Sequence, residues 1–504
     1  MRRSSLLLLV ALLASGCGEP EPRQADVPDD VSIPDSVPAG GERTAAPAAA
    51  DVSPEFRLRL DPARRTVDGT IELDVPRPDT IHLLFRADWD GYPGLEDRLR
   101  RLEARGPGGD LEVALGAGEL GIGHHLIEAP RPERVTIRFT MEFAPAPESA
   151  FYHRASQLDS EGGHLIAGDL LPRLWLGRPR GGPVAAKLWF TVMPSSWRVA
   201  TIEERSGIAY QIDDIIRSVF IVGRLRTQRL HIGPRSLTVA IHGRWPVPDE
   251  RVFEVVNRIA GNLHRIAGDG WSAGDHLLGA GRVPTEVPGL STGGQIIGKS
   301  GIVYVGGNGP AEIEFHHWMR TTAHELMHWY IPIGFSFRQE PPRWFAEGFT
   351  EYMSLKSLLV GQLITPQEFL DAIAVRLVRY QQSGIYGSRS IVDAERDFWQ
   401  PEVYRYIYDG GTAAAFLFDL AFQDRGGSLE RALTRIRRSG PVTDDVLIRE
   451  LGAIRENEWI ERWLSDGTNP DWDARLQSYK LAWSDGTLVS LDDWATNALG
   501  SIRP

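Results

Sequence analysis

The chain has 504 residues, 42% of them hydrophobic and 24% charged, with a single cysteine and a formal net charge of −12. That length and composition describe a globular protein of two to four domains, not a disordered or fibrous one. One cysteine excludes an internal disulfide framework and a cysteine-rich zinc site, and the acidic balance argues against a nucleic-acid partner. The basic residues are almost all arginine. The four lysines, Lys187, Lys299, Lys356 and Lys480, read as compositional bias, since the two cations interchange on a solvated face.

In chain order, the first element is an address. Met1-Arg2-Arg3 is a short basic start, Leu6 to Leu13 an unbroken apolar run, and Ala14-Ser15-Gly16 a small-residue end before Cys17. This is the layout of a secretory signal peptide, with an apolar run far shorter than the ~20 residues of a membrane-spanning helix. Its end resembles the bacterial lipoprotein signal, which implies lipidation of Cys17 as the new N-terminus. Gly18 follows where an aspartate would signal inner-membrane retention, as in lipoproteins sent to the outer membrane. The competing reading is an ordinary cleaved signal with an incidental cysteine. Residues 18–52 are rich in Pro, Ala, Asp and Glu. They bury too little apolar surface to offset chain entropy, and read as a flexible tether.

From about residue 53 the apolar period is two. Phe56, Leu58 and Leu60 alternate with arginines, and Val135, Ile137, Phe139, Met141 and Phe143 with polar residues. Such alternation marks half-buried antiparallel strands, so 53–243 is expected to be an antiparallel β-sandwich. At Pro246-Val247-Pro248-Asp249 the period becomes helical: Val252, Val255, Val256, Ile259, Leu263 and Ile266 share one face, with Asp249 as N-cap. A boundary is placed near 244. Helices are expected at about 311–330, 344–359, 366–382, 410–424, 428–438 and 456–465. A glycine-rich stretch over 281–310 is expected to hold one strand, Gly301 to Val305.

One constellation carries chemistry. His324-Glu325-Leu326-Met327-His328 is an HExxH motif. Residues four apart lie on one face of a helix, so both imidazoles can reach one metal ion. Glu325 is rotated about 100° away, beside the metal, where it can hold a water. Catalytic zinc takes three protein ligands and keeps one position open. Glu347, in Trp344-Phe345-Ala346-Glu347-Gly348-Phe349-Thr350-Glu351-Tyr352, is the candidate third ligand, and Pro341-Pro342 suits the turn into a second helix.

The pair HELMH at 324–328 and WFAEGFTEY at 344–352 resembles the gluzincin metallopeptidases, and most nearly the glycyl aminopeptidase family, relatives of the aminopeptidase N family. The gluzincin spacing of HExxH, eighteen residues and Glu is met here. Residues Lys187 to Thr201 and Tyr210 to Gly223 look like that family's strand-rich N-terminal domain. The resemblance implies a multidomain α+β protein. It would have an N-terminal β-sandwich, a thermolysin-like zinc peptidase domain over 244–427, and a C-terminal α-helical region over 428–504, without the PDZ domain that often follows. It implies one Zn2+ per chain on His324, His328 and Glu347, with Glu325 as general base. It also implies a tyrosine before an apolar helix that stabilises the tetrahedral intermediate. That tyrosine is Tyr408 in Tyr408-Asp409-Gly410-Gly411, with Tyr404 and Tyr406 close enough for a register error.

One family feature departs. The family's aminopeptidases anchor the substrate amine on a Glu in a glycine-rich strand. Here Gly293 and Gly294 match, but Gln295-Ile296-Ile297 supplies no carboxylate. A neutral amide holds an ammonium less well than a carboxylate does, though the strand can still pair with an extended peptide. Glu351 and Thr350 are each open between orienting a metal ligand and no role. His316 and His317 read as structural, and His124 and His125 are assigned no role. The expected activity is zinc-dependent hydrolysis of peptide bonds at the cell envelope, aminopeptidase-like in kind. Two alternatives stay open: an endopeptidase or non-peptide hydrolase of the same fold, and an inactive zinc-holding scaffold. The expected partners are a peptide or protein substrate and a membrane reached through the lipid anchor.

Overall fold

A computed structural model describes residues 54–491, apart from 90–91, 117–122, 144–153, 178–181, 284–289, 308 and 485. Cys17, the signal segment and the tether lie outside the described residues.

The period-two segments form strands with one buried face. Glu55–Asp61, Thr66–Val75 and Glu133–Glu142 alternate buried and accessible positions and sit side by side in an eight-stranded sheet. A four-stranded sheet, with Asp79–Leu84 and His124–Ala129 at its centre, closes over that face. Phe56, Ile71, Ile137 and Phe139 from the first sheet share one core with Ile81, Leu83 and Ile127 from the second. This is a sandwich, but not a wholly antiparallel one: Glu55–Asp61 pairs in parallel with Ala186–Val192. A third sheet, including Gly162–Ile166 and Val219–Gly223, packs Ile166, Val219 and Ile221 against Leu277, Ile302 and Tyr304 of a five-stranded sheet.

The expected boundary near 244 is corrected. Arg226–Ile232 and Arg235–Ile241 belong to the five-stranded sheet, continued by Gly274–Arg282, Ser300–Gly307 and the edge strand Leu290–Ile297. Alternation shows that a segment is a strand, but which sheet it joins depends on its partners. Arg235–Ile241 pairs in parallel with Gly274–Arg282 and is buried on both faces, as expected of a parallel strand under helices. The glycine-rich stretch is two antiparallel strands, Leu290–Ile297 and Ser300–Gly307, instead of one.

Helices Asp249–Ala267 and Ala311–His328 cover the sheet face that carries Leu278, Ala280, Val303 and Val305. Asp249 is not the N-cap. Pro248 holds that position, and the Asp249 carboxylate accepts from Arg226 Nε at 2.6 Å. A π-helical segment Trp344–Phe349 runs into α-helix Thr350–Val360. Pro366–Gln382 starts with a capping box between Thr365 and Glu368. Leu429, Leu433, Ile436, Trp459 and Trp463 share one continuous core with the catalytic helices. The described residues beyond 428 therefore extend this helical core instead of forming a separate folded part, and their last described elements are a two-stranded pair, Leu481–Ser484 with Thr487–Ser490.

Candidate metal centre

The helix Ala311–His328 ends at its second motif histidine. His324 and His328, one turn apart, present their rings edge to face with centroids 4.8 Å apart. The Nε2 atoms of both lie 3.5 Å from one atom, Glu347 Oε2. One ligand atom from each of the three residues falls within 4.8 Å of the others, the convergence a tetrahedral ion needs.

The far nitrogens are also held. His324 Nδ1 is 2.9 Å from Glu351 Oε2, and Glu351 is itself ion-paired to Arg376. His328 Nδ1 is 2.9 Å from the Ile331 carbonyl. Thr350 Oγ1 donates to the same carbonyl at 2.8 Å and lies 3.4 Å from His328 Nδ1. Partners on the outer nitrogens fix ring orientation and leave Nε2 free for a metal. The donor set of two imidazoles and one carboxylate, with no fourth ligand in the cluster among the described residues, fits catalytic zinc.

Electrostatics agree with geometry. Burial alone would lower the His324 imidazolium pKa. Hydrogen bonds to Glu347 and Glu351 outweigh it and hold it well above the ordinary value. Burial would raise the Glu347 and Glu351 pKa values. For Glu347 the two histidines, and for Glu351 Arg376 and His324, win and pull the carboxyls well below the usual range.

Glu325 is buried, and the edge strand passes directly over it. A Cβ on Gly294 would lie 2.3 Å from Glu325 Cγ, so only glycine lets the strand come this close. Because successive side chains on a strand alternate faces, Gly294 and Ile296 look toward the HExxH helix. Gln295 lies on the other face with Ile297 and Ile302. The structure therefore does not bring Gln295 to the metal. Gly293 faces away with Gln295, opposite Tyr304.

The expected tyrosine lies inside a helix, not before one: Pro401–Asp424 begins earlier than the apolar pattern shows. Tyr408 donates to Glu347 Oε2 at 2.5 Å. Tyr406 points elsewhere, stacking on Tyr380 and donating to the Arg389 carbonyl. Tyr404 packs beside Tyr408, with ring centroids 4.4 Å apart. Two glycines make this reach possible. A Cβ on Gly348 would lie 2.4 Å from Gly411 Cα, and one on Gly411 would lie 2.2 Å from the Trp344 carbonyl. His316 is exposed and His317 half-buried, and neither joins the cluster.

Sequence reasoning missed Arg376, the Ile331 carbonyl and a rim made by Arg343, Phe398 and Trp399. Arg343 stands one turn before Glu347, the only local signal among them.

The M61 glycyl aminopeptidase family profile matches residues 317–412, a span holding all three candidate ligands, Glu325 and Tyr408. Among solved structures, the fold is similar to an aminopeptidase N family protein from Idiomarina loihiensis. That match has a TM-score of 0.70 and 15% identity, covering 85% of this chain and 78% of that one. An M1 zinc metallopeptidase from Deinococcus radiodurans matches with a TM-score of 0.50 and 17% identity, covering 84% of this chain and 95% of that one. No curated protein matches the sequence. Over residues 317–412 the chain is thus similar to the M61 glycyl aminopeptidase family, and the matched span carries a His-His-Glu cluster that could hold a metal ion.

Proposed function

We propose that this chain hydrolyses peptide bonds in extended peptides laid along the edge strand Leu290–Ile297, without requiring a free substrate amine. The observation that carries this is the pairing of a complete base-and-ligand set with a substrate strand whose inward face near Glu325 is Gly294 and Ile296. Neither side chain can anchor an ammonium group. Backbone pairing to the strand does not depend on where the peptide begins.

His324, His328 and Glu347 would hold the ion. Zinc, when bound, polarises the scissile carbonyl and lowers the pKa of water at the open position. Glu325 takes the attacking water's proton and later delivers it to the leaving amine. Tyr408, already a donor at 2.5 Å to Glu347, turns its hydroxyl to the developing oxyanion, a role worth roughly 3–4 kcal/mol per donor. The intact base favours an enzyme over an inactive zinc-holding scaffold, which needs no proton carrier.

The test is Glu325→Gln alongside the wild type, with free-amine and N-acetylated peptides. The variant should retain one zinc per chain and lose turnover by about 10²–10⁴-fold. The wild type should cut both peptide sets at comparable rates. Near-native turnover in the variant would overturn the base assignment. Cleavage of free-amine peptides alone would show that another group anchors the amine.

Export and tethering through a lipidated Cys17 are proposed from the charged, apolar and small-residue order of residues 1–17. No helix among the described residues is long and apolar enough to cross a membrane. Membrane fractionation of the wild type and Cys17→Ser tests this.

A further inference from the structure

The rim beside Glu347 carries a second cluster that the hydrolytic machinery does not use. Arg343 is the residue before the π-helical segment and is partly exposed. Its nearest carboxylate among the described residues is Glu347 Oε1 at 4.0 Å, beyond hydrogen-bonding distance. Glu347 is also a metal ligand, so its charge is committed to the ion. Glu395 lies close by, but its carboxylate accepts from the Trp344 backbone N–H at 2.9 Å, and burial pushes its pKa up to about 7. No described carboxylate is therefore hydrogen-bonded to the Arg343 guanidinium, which lies on the Glu347 side of the metal site.

It is held there by aromatic rings. The guanidinium sits 5.0 Å from the centroid of Phe398 and 5.7 Å from that of Trp399, within cation–π range. Trp399 is 47% exposed, the one aromatic among the large apolar residues exposed in the described chain. A second cation reaches the same ring from the β-sandwich side: Arg154 lies 5.2 Å from Trp399. Phe398 continues inward to Tyr404 and Tyr408, with centroids 5.2 Å and 6.3 Å away. The cluster is thus contiguous with the oxyanion side of the metal site. Two guanidiniums flank an exposed indole a short distance from where the bond is cut.

The geometry points to a substrate subsite formed by Arg343, Trp399 and Arg154 that takes a carboxylate next to the scissile bond. The indole supplies an apolar wall for the residue's methylene stem, and the planar guanidiniums match a carboxylate. The carboxylate can be an Asp or Glu side chain or a peptide C-terminus. This inference rests on the peptide-hydrolysis reading and adds a charge preference to it.

The experiment uses the zinc-loaded full chain and peptides carrying Glu, Gln or Lys on each side of one scissile bond. Each peptide is made with an amidated and a free C-terminus. Wild type is expected to cut a Glu peptide about tenfold or more faster, in kcat/KM, than its Gln counterpart. If that holds with the amidated set, the carboxylate is a side chain. If it appears only with free C-termini near the bond, the carboxylate is terminal. Arg343→Gln and Arg154→Gln should each shrink the Glu/Gln ratio toward one with zinc content unchanged, and Arg154→Glu should move preference toward Lys. Cleavage with a Glu/Gln ratio near one in wild type, or a ratio untouched by all three variants, overturns the subsite and leaves peptide hydrolysis standing. Cleavage of no peptide overturns both.

Discussion

At the scale of single residues, the site is defined by what stands behind the ligands. His324 is oriented by Glu351, and Glu351 is in turn held by Arg376. Thr350 and His328 converge on one carbonyl, that of Ile331. A ligand whose outer nitrogen has a fixed partner loses little rotational freedom on binding the metal. Glu351→Gln keeps the shape and an acceptor but removes the charge. It should weaken zinc binding by about 10–100-fold, measured by competition with a chromophoric chelator. An affinity equal to wild type would show that Glu351 does not position His324.

At the scale of elements, the decisive contact is helix on helix. Trp344–Phe349 and Pro401–Asp424 meet where Gly348 faces Gly411 with no side chain between them. That approach brings the Tyr408 hydroxyl to Glu347. Nearby, Lys356, one of only four lysines, is fully buried between Asp419 and Glu430, at 2.6 Å from each. Asp419 also accepts from Tyr352 at 2.6 Å and from the Leu429 backbone at 3.1 Å. The lysine thus pins the helix Leu429–Arg438 to the catalytic helices, and removing one member of such a pair costs several kcal/mol. Gly348→Ala would place a methyl group against backbone that cannot move aside as a flexible side chain does. Its expected effect is a loss of about 1–3 kcal/mol in stability, read by denaturant titration. Turnover should fall as Tyr408 retreats from the ion. Native turnover and native stability together would refute the close-approach account.

At the scale of the whole molecule, the five-stranded sheet is covered by helices on one face and by the third sheet on the other. On the latter face, Tyr304 OH lies 2.5 Å from His164 Nδ1 and 2.8 Å from His242 Nε2, all three side chains buried. His164 Nε2 is satisfied by the Ala155 carbonyl at 2.8 Å, so its Nδ1 is the acceptor of the Tyr304 proton, and His242 Nε2–H donates to the tyrosine oxygen. This chain of bonds joins the third sheet to the strand that pairs with the edge strand Leu290–Ile297. The assembled protein is proposed to hang from the membrane by a tether of about 35 residues. Cys17→Ser should then move the protein from the membrane fraction to the soluble one, with activity per molecule unchanged. Retention in the membrane fraction would rule out lipid anchoring at that residue.

The sequence by itself determined the features that depend on neighbours along the chain. A helical period puts His324 and His328 on one face, a fixed spacing supplies Glu347, and alternation marks the strands of the sandwich. These are short-range consequences of backbone geometry. Tertiary structure decided the rest. It chose Tyr408 over Tyr404 and Tyr406, and moved the strands at 226–241 into the catalytic sheet. It turned Gln295 away from the metal, merged the residues beyond 428 into the catalytic core, and set Arg154 beside Trp399 and Arg343. Each of those outcomes is a contact between segments distant in sequence. Periodicity and propensity carry no term for which distant surface a segment will meet, because that choice is made by packing and by the pairing of buried polar groups.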